Sequence, residues 1–367
     1  MGGMKIRVLF FGAAFCVGVL GSKARGQEVS ELRIRLDGPG GTPVSGALVA
    51  LLNARDSVVA EVLSSETGTR ILRAPSGVYQ IRVRRVGYRP FVSNGVSLPH
   101  SSELVLNVES ARVVLESIVV NSKSQCKLTD PNSRALATVW DEVDKALRSS
   151  QLTTDDLQGI GRAHIFRAEV GADGAVVSAD TMISSIEDRR PFGAIDPDSL
   201  ARNGYVLGDE HAGWSYFAPD ETVLRSDQFA ATHCFRLVRQ GDRRGQIGVS
   251  FEPVPERRIA DIQGILWVDQ ATSELREVVF RFVNAGALTR FDAGGFTRFR
   301  RVPSGTWIVE EWKLSVPKLE AREHPPFPPL LVAIGRFENG GGIIGPADRV
   351  AGRPRQPPVM DTLVRKR

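Results

Sequence analysis

Between Pro75 and Gly87, the apolar residues Tyr79, Ile81 and Val83 alternate with Gln80, Arg82 and Arg84. This period of two is that of a strand with one buried face. Pro75-Ser76-Gly77 forms a turn before it and Gly87 ends it. The same rhythm recurs on both sides. Leu32, Ile34 and Leu36 alternate with Arg33 and Arg35, and Asp37-Gly38-Pro39-Gly40-Gly41 then breaks the run. Further strands are expected at Ala47 to Leu52, Val58 to Leu63, Thr69 to Arg73, Val78 to Val86, Glu103 to Val108 and Val113 to Val120. Seven short strands in about 90 residues fit a small antiparallel β-sandwich.

The period changes after the polar stretch Asn121 to Gln125. Leu136, Val139, Trp140, Val143 and Leu147 recur at spacings of three and four, behind an N-cap at Asp130 and a first-turn Pro131. They predict an amphipathic helix of about 17 residues, ending near Ser149 and lying against the next sheet. Strand patterns resume from residue 158 to about 317. His164 to Val170 and Val176 to Ile186 flank Gly171-Ala172-Asp173-Gly174; Ile262 to Val268 and Leu275 to Val283 flank Asp269 to Ser273; Phe296 to Val302 and Thr306 to Val316 turn at Pro303-Ser304-Gly305. The fold class expected is mainly β, a seven-stranded sandwich followed by a helix and a larger curved antiparallel sheet. His324-Pro325-Pro326-Phe327-Pro328-Pro329 is expected to be stiff and extended, and the Gly-, Pro- and Arg-rich end to be disordered.

Composition supports short strands: Gly (36) and Pro (21) are abundant and aromatics make only 7%. The net charge of +5 loses its meaning at the N-terminus. Lys5 and Arg7 precede the apolar run Val8 to Leu20, and Ala24-Arg25-Gly26 places small residues where a signal peptidase reads, which predicts cleavage between Gly26 and Gln27. Lipid on Cys16 is disfavoured by bulky Phe15. Losing Lys5, Arg7, Lys23 and Arg25 takes the 47 basic residues to 43, against 42 acidic ones. With no basic-aromatic stripe either, nucleic-acid binding is excluded. No stretch of the mature chain is long enough for a transmembrane helix. The protein is expected in the periplasm or secreted, with association with the outer membrane open. There, Cys126 and Cys234 are either two separate buried thiols or a bridge closing a loop of about 108 residues, worth about 4 to 5 kcal/mol. The oxidising compartment favours the bridge. The organisation expected is a signal peptide (1–26), the sandwich (27–120), linker and helix (121–152), the antiparallel β domain (153–342) and a disordered tail (343–367).

Gly41-Thr42-Pro43-Val44-Ser45-Gly46-Ala47-Leu48-Val49, Gly68 with Leu72, Pro75-Ser76-Gly77-Val78-Tyr79 and Val86-Gly87-Tyr88 resemble the carboxypeptidase regulatory-like domain, a transthyretin-like sandwich. The resemblance covers about a quarter of the chain. It implies an accessory module without catalytic residues, found beside zinc carboxypeptidases, in outer-membrane transport receptors and in secreted proteins, and grouped with carbohydrate-binding-like folds. Gly264, Asp269, Thr272 and Leu275 resemble the half-barrel of lipoprotein-carrier proteins.

Candidate chemistry is sparse. His100-Ser101-Ser102-Glu103 has the His-x-x-Glu spacing of zinc carboxypeptidases, but it lies inside the sandwich, and no alternating strand-helix pattern follows to build a catalytic domain. His211 and His233 with Asp209, Glu210 and Asp220 could converge on a metal, but the better reading has His233 hydrogen-bonded and the acids on loop surfaces. Cys234 as a nucleophile would need a base, and His233, next to it in a strand, points to the opposite face. There is no Gly-x-Ser-x-Gly elbow, no His-Glu-x-x-His and no phosphate loop. Trp214 and Tyr216 are candidate ligand-contact aromatics: with Phe217, the alternation leaves one aromatic on each face. No catalytic, metal or cofactor residue is assigned. The function expected is non-enzymatic binding or assembly in the envelope, the partner a protein, a glycan or a lipid. The alternatives are a lipid or lipoprotein carrier and an envelope hydrolase.

Overall fold

The computed structural model describes residues 29–110, 126, 134–156, 162–185, 195–209, 213–302 and 304–344. The first strands are β1 (Val29–Asp37), β2 (Leu48–Leu52), β3 (Val58–Leu63), β4 (Thr69–Pro75), β5 (Gly77–Arg84), β6 (Phe91–Val92), β7 (Val96–Leu98) and β8 (Leu104–Asn107). They form a three-stranded sheet, β4-β1-β8, and a five-stranded one, β3-β2-β5-β6 with β7 also on β5. The alternating residues meet between the sheets. Leu32, Ile34 and Leu36 pack with Val49, Leu51, Leu72, Tyr79, Ile81 and Val83.

Two details depart from the sequence reading. β8 runs parallel to β1, because the chain crosses from one sheet to the other before returning. A period-two pattern says which face is buried and carries no strand direction. β6 and β7 are too short to show any alternation. The strand expected at Val113 to Val120 lies outside the described residues, as do the helix cap at Asp130 and Pro131.

Helix α1 (Arg134–Asp156) is 23 residues long and passes the expected end near Ser149. Its last turns carry Ser149, Ser150, Thr153 and Thr154, which single-helix propensity does not favour. Tertiary partners hold them. Ser150 donates to Glu221 Oε1 at 2.7 Å and Gln151 to Thr222 Oγ1 at 3.0 Å, while the Thr153 and Thr154 hydroxyls donate to the carbonyls of Ser149 and Ser150. The apolar face, Leu136, Val139, Val143, Ala146 and Leu147, is buried against the large sheet.

That sheet uses β9 (Arg162–Gly171), β10 (Val176–Ser185), β13 (His233–Val238), β14 (Gln246–Pro253), β15 (Asp261–Asp269), β16 (Leu275–Val283), β17 (Gly294–Arg301), β18 (Trp307–His324) and β19 (Phe327–Ile344). The order is β10-β9-β19-β18-β17-β16-β15-β14-β13, antiparallel throughout. Between β10 and β13 lie α2 (Pro197–Asn203), the small hairpin β11 (Val206–Asp209) and β12 (Gly213–Tyr216), α3 (Glu221–Leu224) and α4 (Asp227–Thr232). The His-Pro-Pro-Phe-Pro-Pro segment, expected to be stiff and extended, has His324 at the end of β18 and Phe327 at the start of β19. It forms the tip between β18 and β19, and β19 then inserts beside β9, running to Ile344 where a tail was expected from 343. Local sequence hid the place of this strand because one of its two partners, β9, lies about 170 residues upstream. Gly264 permits the close pairing of β15 with β16, since a Cβ there would overlap the Val279 carbonyl and the Phe251 ring.

Candidate functional site

Cys126 and Cys234 form a disulfide across 108 residues, so neither is a free nucleophile. The candidate metal residues do not converge. His233 is fully buried, its Nδ1 3.1 Å from the Phe229 carbonyl and its Nε2 3.2 Å from both the Ile262 carbonyl and Asp261 Oδ1. Phe229 stacks on its ring at 4.1 Å, and Arg257 donates to Asp261 from the other side. Asp220 caps α3, accepting the Val223 N–H at 2.8 Å. Asp209 sits on exposed β11, and Glu210 and His211 lie outside the described residues. His100 Nε2 is 3.3 Å from the Ser102 hydroxyl, and Glu103 faces Arg35. Among the described residues, no three His, Cys, Asp or Glu side chains are placed to hold a metal ion.

Trp214 and Tyr216 share one face of β12, packed on the large core, with the Tyr216 ring 5.2 Å from Phe282. Phe217 packs there as well, instead of facing outward as the alternation predicts. Its N–H donates to the Tyr205 carbonyl, and the strand has already ended at Tyr216. Burial pushes the Tyr216 hydroxyl up to about 12, and among the described residues it has no hydrogen-bond partner. All three rings are partly buried against the large core.

One face of the sheet is covered by α1 and the short helices. The cavity bounded by Pro219, Asp220, Leu224, Thr297, Phe299 and Val309 measures about 10 Å³, room for a single water and far too little for an acyl chain. This geometry does not favour the carrier reading.

An open cleft of about 430 Å³ lies elsewhere, at the turn end of β16 to β18, lined by Glu274, Arg276, Arg300, Arg301 and Val302. The sandwich forms its surroundings. Gly87 lies against the Thr272 carbonyl, and the Ser45-Gly46 loop packs tightly on Gly305. Arg85, stacked 4.4 Å above the Tyr88 ring, feels the charge of Glu274. Burial lowers the Arg85 pKa, opposed by Tyr88 and Glu274, and its Nε has no hydrogen-bond partner among the described residues.

The cleft is ordered by ion pairs. Arg276 reaches Glu274 at 3.0 Å and Asp269 at 3.4 Å, Arg300 reaches Glu310 at 3.1 Å, and Arg301 donates to the Gly305 carbonyl at 3.2 Å. Burial alone would raise the Asp269 carboxyl. The Thr272 N–H and hydroxyl, Arg276 and the Ala271 N–H together hold it below the usual range. The lining itself carries Arg276, Arg300 and Arg301 against Glu274, which also reaches Arg301 at 3.8 Å; Asp269 and Glu310 pair from outside it, and the Arg85 guanidinium, off the lining, adds one positive charge that feels Glu274. Sequence reading missed the site, because arginines alternating along strands read as solvated faces. The one local signal is the doublet Arg300-Arg301 beside a turn.

Residues 32–111 match the family model of the carboxypeptidase regulatory-like domain, so the sandwich is a domain of this type. No curated protein matches the chain. Similar solved structures include the TIE protein of Bacillus anthracis, at 10% identity and a TM-score of 0.20, covering 83% of this chain and 48% of that one. This chain thus spans about half the length of that protein. A DUF3823 family protein of Parabacteroides merdae has 12% identity and a TM-score of 0.17, with coverage of 60% and 90%. BcpA, the major pilin subunit of Bacillus cereus, has 7% identity and a TM-score of 0.17, with coverage of 88% and 97%. No helix among the described residues is long and apolar enough to cross a membrane.

Proposed function

We propose that this chain is an exported, non-enzymatic binding protein of the cell envelope that holds an acidic glycan in the arginine-lined cleft. In this reading residues 27–120 are the accessory module, residues 153–342 the main body, and cleavage between Gly26 and Gln27 delivers the protein to the periplasm or beyond. The observation that carries it is the open cleft of about 430 Å³, where Arg276, Arg300 and Arg301 stand beside the partly buried Arg85. Guanidinium groups in fixed orientation recognise carboxylate and phosphate oxygens in pairs, and Glu274 and Glu310 set the geometry while the site is free. The disulfide suits an oxidising compartment.

Titration calorimetry of the mature protein with oligogalacturonate tests the reading, with a neutral oligosaccharide of equal length as control. Saturable binding to the acidic chain alone is expected, weakening with salt as partly exposed charge pairs do. Arg276→Gln and Arg301→Gln should each reduce affinity roughly fivefold. Absence of saturable heat, or affinity unchanged in both variants, would overturn it.

A further inference from the structure

The hairpin of β18 and β19 leaves the sheet before it ends. β17 accompanies β18 only to Ser315, and β9 accompanies β19 only from Gly335 onward. From Val316 to Ile334 the two strands pair with each other alone. Nine residues of β18 beyond Ser315 reach about 30 Å. The base of this ribbon is tied down, with Leu319 against the large core and Arg290 donating to the Leu331 carbonyl at 2.7 Å. Further out, residues 320–327 and 330 are all exposed. A free two-stranded ribbon is marginal in water and is kept where it meets something.

The tip is apolar. Pro325-Pro326-Phe327-Pro328-Pro329-Leu330-Leu331-Val332-Ala333 is nine residues without a charged or hydrogen-bonding side chain. Phe327 is 65% exposed and Leu330 46%, and His324 stacks beside Phe327 at 5.5 Å. Strand addition by a protein is a poor fit to this ribbon. Pro317, Pro328 and Pro329 lack donors, and the pairing shifts at Lys318/Leu319 and at Arg322/His324 break the regular edge. The charges behind the tip balance, Lys318, Arg322 and Arg290 against Glu320, Glu323 and Glu169, with Glu169 paired to Lys318 at 2.5 Å and Arg322 3.9 Å from Glu320. A neutral, apolar point set in front of balanced charges fits a zwitterionic lipid surface, with no requirement for anionic headgroups.

We infer that the β18–β19 tip is a lipid-contacting wedge, inserting Phe327 and Leu330 at the headgroup boundary and holding the protein at a membrane surface without spanning it. The inference is independent of the cleft. It is tested by flotation of the mature full-length chain with phosphatidylethanolamine and phosphatidylcholine vesicles, with and without phosphatidylglycerol. The wild type should float in both cases to a similar extent. The double substitution Phe327→Asp with Leu330→Asp, at exposed positions, should leave the circular dichroism spectrum unchanged and lower the bound fraction more than about tenfold. Arg276→Gln should float as the wild type does, separating this site from the glycan cleft. Failure of the wild type to float, flotation only with phosphatidylglycerol, or equal flotation of the double variant would overturn the inference. So would sedimentation showing that the double variant instead dissociates a dimer.

Discussion

Asp144 fastens the sandwich to the rest of the molecule, and removing its side chain measures how tightly. It projects from α1, accepts from Arg84 Nη1 of β5 at 2.9 Å and from Arg225 Nε beyond α3 at 2.7 Å. The three side chains are only 18 to 22% exposed, so solvent screens the pairs weakly. Two charge-assisted hydrogen bonds of about 1.5 to 3 kcal/mol each are at stake, less the desolvation the carboxylate no longer bears. Asp144→Ala should therefore cost about 2 to 4 kcal/mol in urea unfolding. A double-mutant cycle with Arg84→Ala should return a coupling of about 1 to 2 kcal/mol. Burial alone would raise the Asp144 carboxyl, but Arg225 and then Arg84 bring it below its ordinary value of 3.8. The folded state thus keeps this charge to lower pH than the unfolded chain. Its stabilisation is present above the unfolded value and is lost as pH falls through the folded one. Asp144→Ala should accordingly be most destabilising near neutral pH and converge with the wild type in acid. A coupling energy near zero, or a loss that does not diminish below about pH 4, would refute the reasoning.

Two further substitutions probe the large sheet and its closure. Cys234→Ser opens the 108-residue loop and should lower stability by about 4 to 5 kcal/mol in urea, with reductant reproducing the loss in the wild type; a shift under about 1 kcal/mol would contradict the loop-closure account. Tyr216→Phe removes a buried hydroxyl without a partner among the described residues and should raise the unfolding midpoint, by up to about 1 kcal/mol of stability. A loss of comparable size would mean that the hydroxyl has a bonding role.

Much of the fold was legible in short stretches. Tyr79, Ile81 and Val83 specify a buried face whatever strand they meet, and Leu136, Val139, Val143 and Leu147 do the same for α1. Hairpins joined by short turns, such as β15–β16 across Asp269 to Ser273, are equally local, because the turn side chain itself closes them: Asp269 Oδ1 accepts from Ala271 and Thr272 at 3.0 Å. For Cys126 and Cys234 the sequence left a bridge and two separate thiols open, and the structure forms the bridge.

The candidate sites were not legible in this way. Arg85, Glu274, Arg276, Arg300 and Arg301 look like ordinary solvated charges until the sandwich is seated against the turns of β16 to β18. The β18–β19 tip looks like a stiff extended stretch near the end of the chain until β19 is seen to return beside β9. The sequence by itself determined α1, most strands of the sandwich and several hairpins of the large sheet, together with their buried faces, since periodicity is written within each of those segments. Only the tertiary structure decided the direction of β8, the place of β19 and the meeting of the arginines. Those depend on which distant segments pair, and that is settled by the packing of the whole chain rather than by any one stretch of it.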